Sequence, residues 1–236
     1  MRHLGHTRSA YRFDHLLVTP DTFVRAPLPG MRNATAIVHV SPAAGASFTQ
    51  FTAIFEPEGE LPPAKAQRFV YVLDGNLSIE GRGLEAGAFA YLPPHHPDPV
   101  RATTAARAAV IEKPYVALTS APAPGPLFGE ESGISPQFLE GDETLEVRCL
   151  LPAEPAFDFA VNTMTYQPGA SLPMVESHVM EHGLLMLEGG GIYRLGDSWY
   201  PVTAGDFIWM APYCPQWFGA LGKKPAKYLI YKDWNR

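Results

Sequence analysis

The chain has almost nothing with which to cross-link itself. Its 236 residues include two cysteines, Cys149 and Cys214, which fit neither a disulfide framework nor a zinc-finger spacing. One disulfide and two free thiols both fit the count; two free thiols in a reducing compartment suit so cysteine-poor a chain better. Charge is also scarce. Only 18% of residues are charged, too few for a solvated helical bundle or a disordered tail. The net charge is −6 and the largest basic cluster is the pair Lys223-Lys224, which argues against nucleic acid or an anionic membrane as partner. No apolar run approaches the ~20 residues of a membrane span. The opening "MRHLGHTRSAYRFDH" has no apolar segment of the kind a secretory signal needs. A cytoplasmic protein is the expectation.

What the chain does have is proline and glycine, 24 and 21 residues spread throughout. Between them lie short β-rich runs such as "TAIVHV", "SFTQFTAIF", "RFVYVLDG", "HGLLMLEG", "DFIWMAP" and "AKYLIYKD". Short strands at regular spacing with Gly/Pro turns predict an all-β sandwich or barrel. No long helical stripe occurs, and "SPQFLEG" allows one short helical turn.

The run from Phe69, "FVYVLDGNLSIEGRGLEAGAFAYLPPHHP", reads in order against that from Leu184, "LLMLEGGGIYRLGDSWYPVTAGDFIWMAPYCP". Each holds an apolar strand, an acidic-Gly turn, a short strand, a glycine before an aromatic strand, and a Pro-rich turn. That order points to duplication. The expected organisation is a first barrel over residues 1–118, a Pro/Gly/Ala-rich linker over 119–136, and a second barrel over 137–236.

The candidate chemistry lies in "MVESHVMEHG". In an extended chain Glu176 and His178 share a face, and His182 has the same parity. Gln216 follows the Pro-rich turn downstream. Two imidazoles, a carboxylate and an amide oxygen suit a divalent ion at the harder end, such as Mn²⁺. Two histidines on an apolar strand also serve as a hydrogen-bonded core pair. Glu181 has the wrong parity and is expected in solvent or behind the ligands.

The same ruler laid on the first half, from Gly75, finds Pro62, Ala64 and Arg68 at the Glu176, His178 and His182 positions, and Asp98 at that of Gln216. Pro, Ala and Arg hold no cation, so this half is expected to be metal-free. His95 and His96 read as turn or interface histidines.

The spacing Gly169-x6-Glu176-x-His178-x3-His182-x6-Gly189, with Gly205-x5-Ala211-x-Tyr213-x2-Gln216-x3-Ala220, resembles the two cupin motifs with the ligand types rearranged. The run from Glu176 to Arg236, with "LLVTPDTFVRAPLPG", "GASFTQFTAIFEP" and "QRFVYVLDGNL", resembles the (S)-ureidoglycine aminohydrolases, bicupins of purine (allantoin) breakdown. That resemblance implies two tandem cupin barrels, one Mn²⁺ per chain, and release of ammonia from ureidoglycine to give ureidoglycolate. It implies metal ligands Glu176, His178, His182 and Gln216. It also implies substrate contacts from Tyr193, Tyr228 and Lys232, with Glu176, Tyr228 and Lys232 in catalysis. Cys214 and Trp234 depart from some relatives. Without the resemblance, the two tyrosines read as core packing and Lys232 as a strand end. Two other readings of the fold are a dioxygenase or isomerase on another small carboxylate, and a non-catalytic binding cupin. A homo-oligomer is expected, since cupin sheets leave edges to pair.

Overall fold

The computed structural model describes residues 6–233; Trp234 lies outside them. Strands dominate, and the only helices among the described residues are four three-residue 3₁₀ turns. One of these, Leu139–Gly141, occupies the "SPQFLEG" segment.

The chain forms two compact units, and neither is contiguous in sequence. One holds residues 24–134 with 154–158; the other holds the residues up to Phe23, then 135–153, and 159 onward. This corrects the expected boundaries in three places, the first being residues 154–158, expected in the second barrel but grouped with 24–134. His15–Val18 was expected in the first barrel, but it pairs antiparallel with Phe207–Met210 in the second unit. Leu127–Glu130, expected as linker, is a strand paired with Ala88–Leu92. Backbone groups at a sheet edge need partners, and distant segments supply them for both strands.

The second unit is built from an eight-stranded and a three-stranded sheet. The large sheet runs Ala10–Tyr11, His15–Val18, Phe207–Met210, His182–Glu188, Ala226–Lys232, Ala160–Tyr166, Leu145–Cys149, Gln137–Phe138. The small one is Ser198–Thr203, Gly190–Leu195, Gln216–Ala220. Alternation decides what faces inward. Leu184 and Met186 from one strand and Ala226, Tyr228 and Ile230 from its neighbour meet Tyr193, Leu195, Phe218 and Ala220 of the small sheet in one core. The first unit is a curled ten-stranded sheet around Phe51, Phe55, Val70, Val72, Ala90 and Val110.

The duplication is visible in backbone detail. Gly75 and Gly189 both have positive φ, 73° and 64°. A Cβ at Gly75 would stand 2.3 Å from the Ala105 carbonyl, and one at Gly189 2.4 Å from that of Pro225; only glycine fits either turn. His95 and Tyr213, at matching points of the Pro-rich turns, share a left-handed φ of 60° and 64°. The strand registers agree as well. Arg68 lies opposite Leu92 and Glu112, as His182 lies opposite Met210 and Lys232.

Candidate active site

Residues 177–181 are not a strand, contrary to the extended reading of this stretch. Glu176 makes an isolated bridge to Gln216, and regular pairing starts only at His182. The loop is laced to the turn opposite instead: Glu176 N donates to Gln216 O and Gln216 N to Glu176 O, both at 2.8 Å, and Tyr213 N donates to His178 O. Burial alternates as far as Val179 and breaks at Glu181, which is buried like His182. Glu176 and His178 are half-buried, while Ser177 and Val179 are exposed.

The lacing sets the positions of the predicted residues. Glu176 Oε2 lies 3.1 Å from His178 Nε2. The His178 and His182 rings stand edge to face with centroids 5.4 Å apart. Gln216 is buried, and its Oε1 accepts a hydrogen bond from the Tyr193 hydroxyl at 3.2 Å. Tyr193 packs against Phe218, and Phe218 against Tyr228. Lys232 ends the strand that carries Tyr228, on the same face by alternation, with His182 as its neighbour across the ladder.

Electrostatics tie the groups together. Burial pushes the Tyr193 and Tyr228 hydroxyl pKa values well up, with the Glu176 carboxylate adding to both shifts. Burial lowers that of Lys232, while Cys149 and Glu176 pull it back. His182 falls to about 3, mainly by burial and then by the charges of Lys232 and His178. It is neutral at physiological pH, as an imidazole ligand must be. Its Nδ1 is buried without a hydrogen-bond partner. A buried polar atom left unbonded costs about 1–3 kcal/mol. Two imidazoles, a carboxylate and an amide oxygen on these neighbouring segments are a donor set that fits a divalent cation. Two other groups, Asp14, His15 and Cys214, and Glu80, His96 and Asp98, have donor atoms that lie within 4.8 Å of one another.

Two residues carry more than the sequence suggested. The Tyr166 hydroxyl lies 2.7 Å from that of Tyr228, both buried; its strand "NTMTY" signals a β-strand and nothing of the pairing. Glu181 was expected in solvent or behind the ligands. It is 3% exposed and its Oε2 accepts the Trp209 indole N–H at 2.9 Å. Its backbone N–H donates to Asp233. Both cysteines are free thiols; Cys149 is half-buried and Cys214 buried. Burial raises the pKa of Cys214 to about 11, which leaves it unreactive.

In the first unit the corresponding ground is filled. Arg68 Nη2 and Nε bond Glu112 Oε1 at 2.6 and 2.8 Å, and Nη1 donates to the Pro62 carbonyl. An ion pair stands where the other unit has His182 and Lys232.

Comparison with known proteins identifies the family. Residues 162–231 match the family model described as Cupin domain. The (S)-ureidoglycine aminohydrolase of Arabidopsis thaliana is 41% identical over 239 residues, which cover 98% of this chain and 80% of that protein. That of Escherichia coli (strain K12) is 31% identical, over 93% of this chain and 88% of its own. Among solved structures, a putative glyoxylate induced protein from Pseudomonas aeruginosa is 30% identical with a TM-score of 0.90, covering 100% of this chain and 94% of that one. Protein Ylba from E. coli is 28% identical with a TM-score of 0.85, covering 98% and 96%. Relatedness at this level, along nearly the whole of this chain, makes the protein a member of the (S)-ureidoglycine aminohydrolase family, built on the cupin fold.

Proposed function

We propose that the protein hydrolyses (S)-ureidoglycine to (S)-ureidoglycolate and ammonia in purine catabolism, at a site in the second unit. One divalent ion per chain, Mn²⁺, is held by Glu176, His178, His182 and Gln216. The observation that carries this reading is the reciprocal backbone pair of Glu176 and Gln216, both bonds 2.8 Å, which brings the two motifs side by side. Family membership supplies the substrate, since the curated relatives are named for it.

When bound, the ion supplies Lewis acidity, polarising the bond to be cut. The chain's own residues do the rest. Lys232 offers a compact positive charge to the substrate carboxylate. Its partial burial strengthens that contact, because charge pairs gain as water is excluded. Tyr193 and Tyr228 present hydroxyls that burial keeps protonated; their protons go to Gln216 Oε1 and the Met164 sulfur, so their oxygens accept from the N–H groups of the ureido group and the departing amine and orient both. Tyr193 is held in place by Gln216, and Tyr228 by Tyr166. Glu176 takes the proton of the attacking water through a carboxylate oxygen. The carbon–nitrogen bond to the amine breaks, a carbon–oxygen bond forms, and the amine gains a proton and leaves as ammonia.

A homo-oligomer is part of the proposal. The large sheet ends in the two-residue strands Ala10–Tyr11 and Gln137–Phe138, where Tyr11 and Phe138 expose 61% and 46% of their surface; a second copy would cover such edges. No helix among the described residues is long and apolar enough to cross a membrane. The proposed setting is the cytoplasm.

The test is Glu176→Gln on the Mn²⁺-reconstituted protein. Retention of part of the metal with loss of ammonia release supports Glu176 as base. Full activity in the variant overturns that role.

A further inference from the structure

Three groups outside this site remain without an assignment. Glu80 sits in the tight turn between Leu77–Ile79 and Arg82–Leu84, with a left-handed φ of 52°. His96 and Asp98 belong to the Pro-rich turn that follows Ala88–Leu92. His96 is 7% exposed, and its Nε2 is buried with no hydrogen-bond partner. That nitrogen faces Glu80 Oε1 at 3.5 Å and Asp98 Oδ2 at 3.9 Å. All three ligand atoms lie within 4.8 Å of one another.

These separations decide between two readings. A histidine paired with a carboxylate for its own sake closes to a hydrogen bond of about 2.7–2.9 Å. The Glu80 side chain is partly exposed and free to make that move. Two ligands about 2.1 Å from one ion stand roughly 3.0–4.2 Å apart, depending on the angle at the metal. Both measured separations fall in that interval. Charge points the same way. The one guanidinium lining the recess beside His96 and Asp98 is that of Arg68, already bonded to Glu112 and Pro62. No Lys or Arg among the described residues forms an ion pair with Glu80 or Asp98. The cluster Asp14–His15–Cys214 in the other unit lacks these properties: His15 bonds Asp14 through Nδ1 and the Tyr200 hydroxyl through Nε2, so no ring nitrogen is left over.

We propose that Glu80, His96 and Asp98 form a second divalent-cation site, in the first unit, with one imidazole, two carboxylates and the remaining positions open to water. It uses none of Pro62, Ala64 and Arg68, whose chemistry leads the sequence reading to a metal-free first half. Its role is structural: the ion clamps the turn at Glu80 to the turn at His96 and Asp98, two segments joined otherwise through the pairing of Val100–Ala102 with Leu77–Ile79. Zn²⁺ is the probe, since it binds mixed imidazole–carboxylate sites tightly among first-row ions.

The experiment is equilibrium dialysis of the full-length, chelator-stripped protein against micromolar free Zn²⁺, read by elemental analysis. Glu80→Gln/Asp98→Asn changes two solvent-accessible side chains and leaves the fold intact. The double variant is expected to bind one ion fewer per chain than wild type, to show a smaller Zn²⁺-dependent rise in Tm, and to keep ureidoglycine hydrolysis. His182→Ala is expected to retain the ion at Glu80, His96 and Asp98 while losing that of the other site. The proposal is overturned if the double variant binds as much Zn²⁺ as wild type. It is equally overturned if His182→Ala binds none. Wild type with one ion, lost in the double variant and kept in His182→Ala, would support this site and count against the other, so the two readings fail separately.

Discussion

The hydroxyl oxygens of Tyr166 and Tyr228 stand 2.7 Å apart inside the second unit, both cut off from water. Tyr228 also reaches the Met164 sulfur at 3.3 Å. A pair of phenols in such surroundings has two protons to direct, and Tyr166 fixes where that of Tyr228 points. Tyr166→Phe is therefore expected to lower kcat/KM by the value of one buried hydrogen bond, about 0.5–1.5 kcal/mol or ~2- to 13-fold. Tyr228→Phe should cost more, because it removes the hydroxyl assigned to the substrate. Steady-state kinetics of both variants checks the order. Equal losses would show that Tyr228 acts only through the pair.

Lys232→Met should be the more damaging change. Its charge meets the substrate carboxylate in the ground state, so KM rises. If the contact strengthens during the reaction, kcat falls too. Removing one partner of a desolvated charge pair costs about 2–4 kcal/mol in kcat/KM, ~30- to 1000-fold. A variant with unchanged KM would assign the carboxylate to another residue.

The first unit carries a pH-dependent weakness at His39. Burial lowers its pKa from 6.5 to about 3, and its Nε2 lies 2.8 Å from the Thr52 hydroxyl. Between these values the unfolded chain binds a proton there that the folded chain does not. Stability is fully present above pH 6.5 and falls as pH drops toward 3, by on the order of a few kcal/mol. His39→Gln should flatten that part of the stability profile of the metal-stripped protein. Denaturant midpoints measured across the window test it; a slope identical to wild type would show that His39 is not the group involved.

The paired glycines give a symmetrical prediction. Gly75→Ala and Gly189→Ala each force a left-handed residue into backbone at 2.3 and 2.4 Å. Each should lose about 2–4 kcal/mol of stability, measured by urea unfolding. Comparable losses would follow from the duplication, and tolerance at one position would mean that turn relaxes.

The duplicated β-architecture was legible because Gly/Pro turns and apolar strands are local signals, and the order of Gly75, His95 and Asp98 against Gly189, Tyr213 and Gln216 repeats them. The placement of His15–Val18 beside Phe207–Met210 was not legible, since pairing across nearly the whole chain leaves no local mark. Leu127–Glu130 hid among prolines and glycines for the same reason: its partner Ala88–Leu92 makes it a strand, not its own composition. At the site, parity put Glu176, His178 and His182 on one side, although the segment between them is a laced loop. Glu181 and Tyr166 stayed hidden because burial of a carboxylate or a phenol depends on partners, Trp209 and Tyr228, that sequence spacing does not reveal.

The central claim concerns one reaction, and one measurement meets it most directly. Freshly generated (S)-ureidoglycine is given to the Mn²⁺-loaded protein, and ammonia, ureidoglycolate and dissolved oxygen are followed together. Ammonia and ureidoglycolate should rise in equal amounts well above the buffer rate, with no oxygen consumed, and removal of the metal by a chelator should stop both. Ammonia release no faster than in buffer, or turnover that consumes oxygen in step with substrate, would contradict the account.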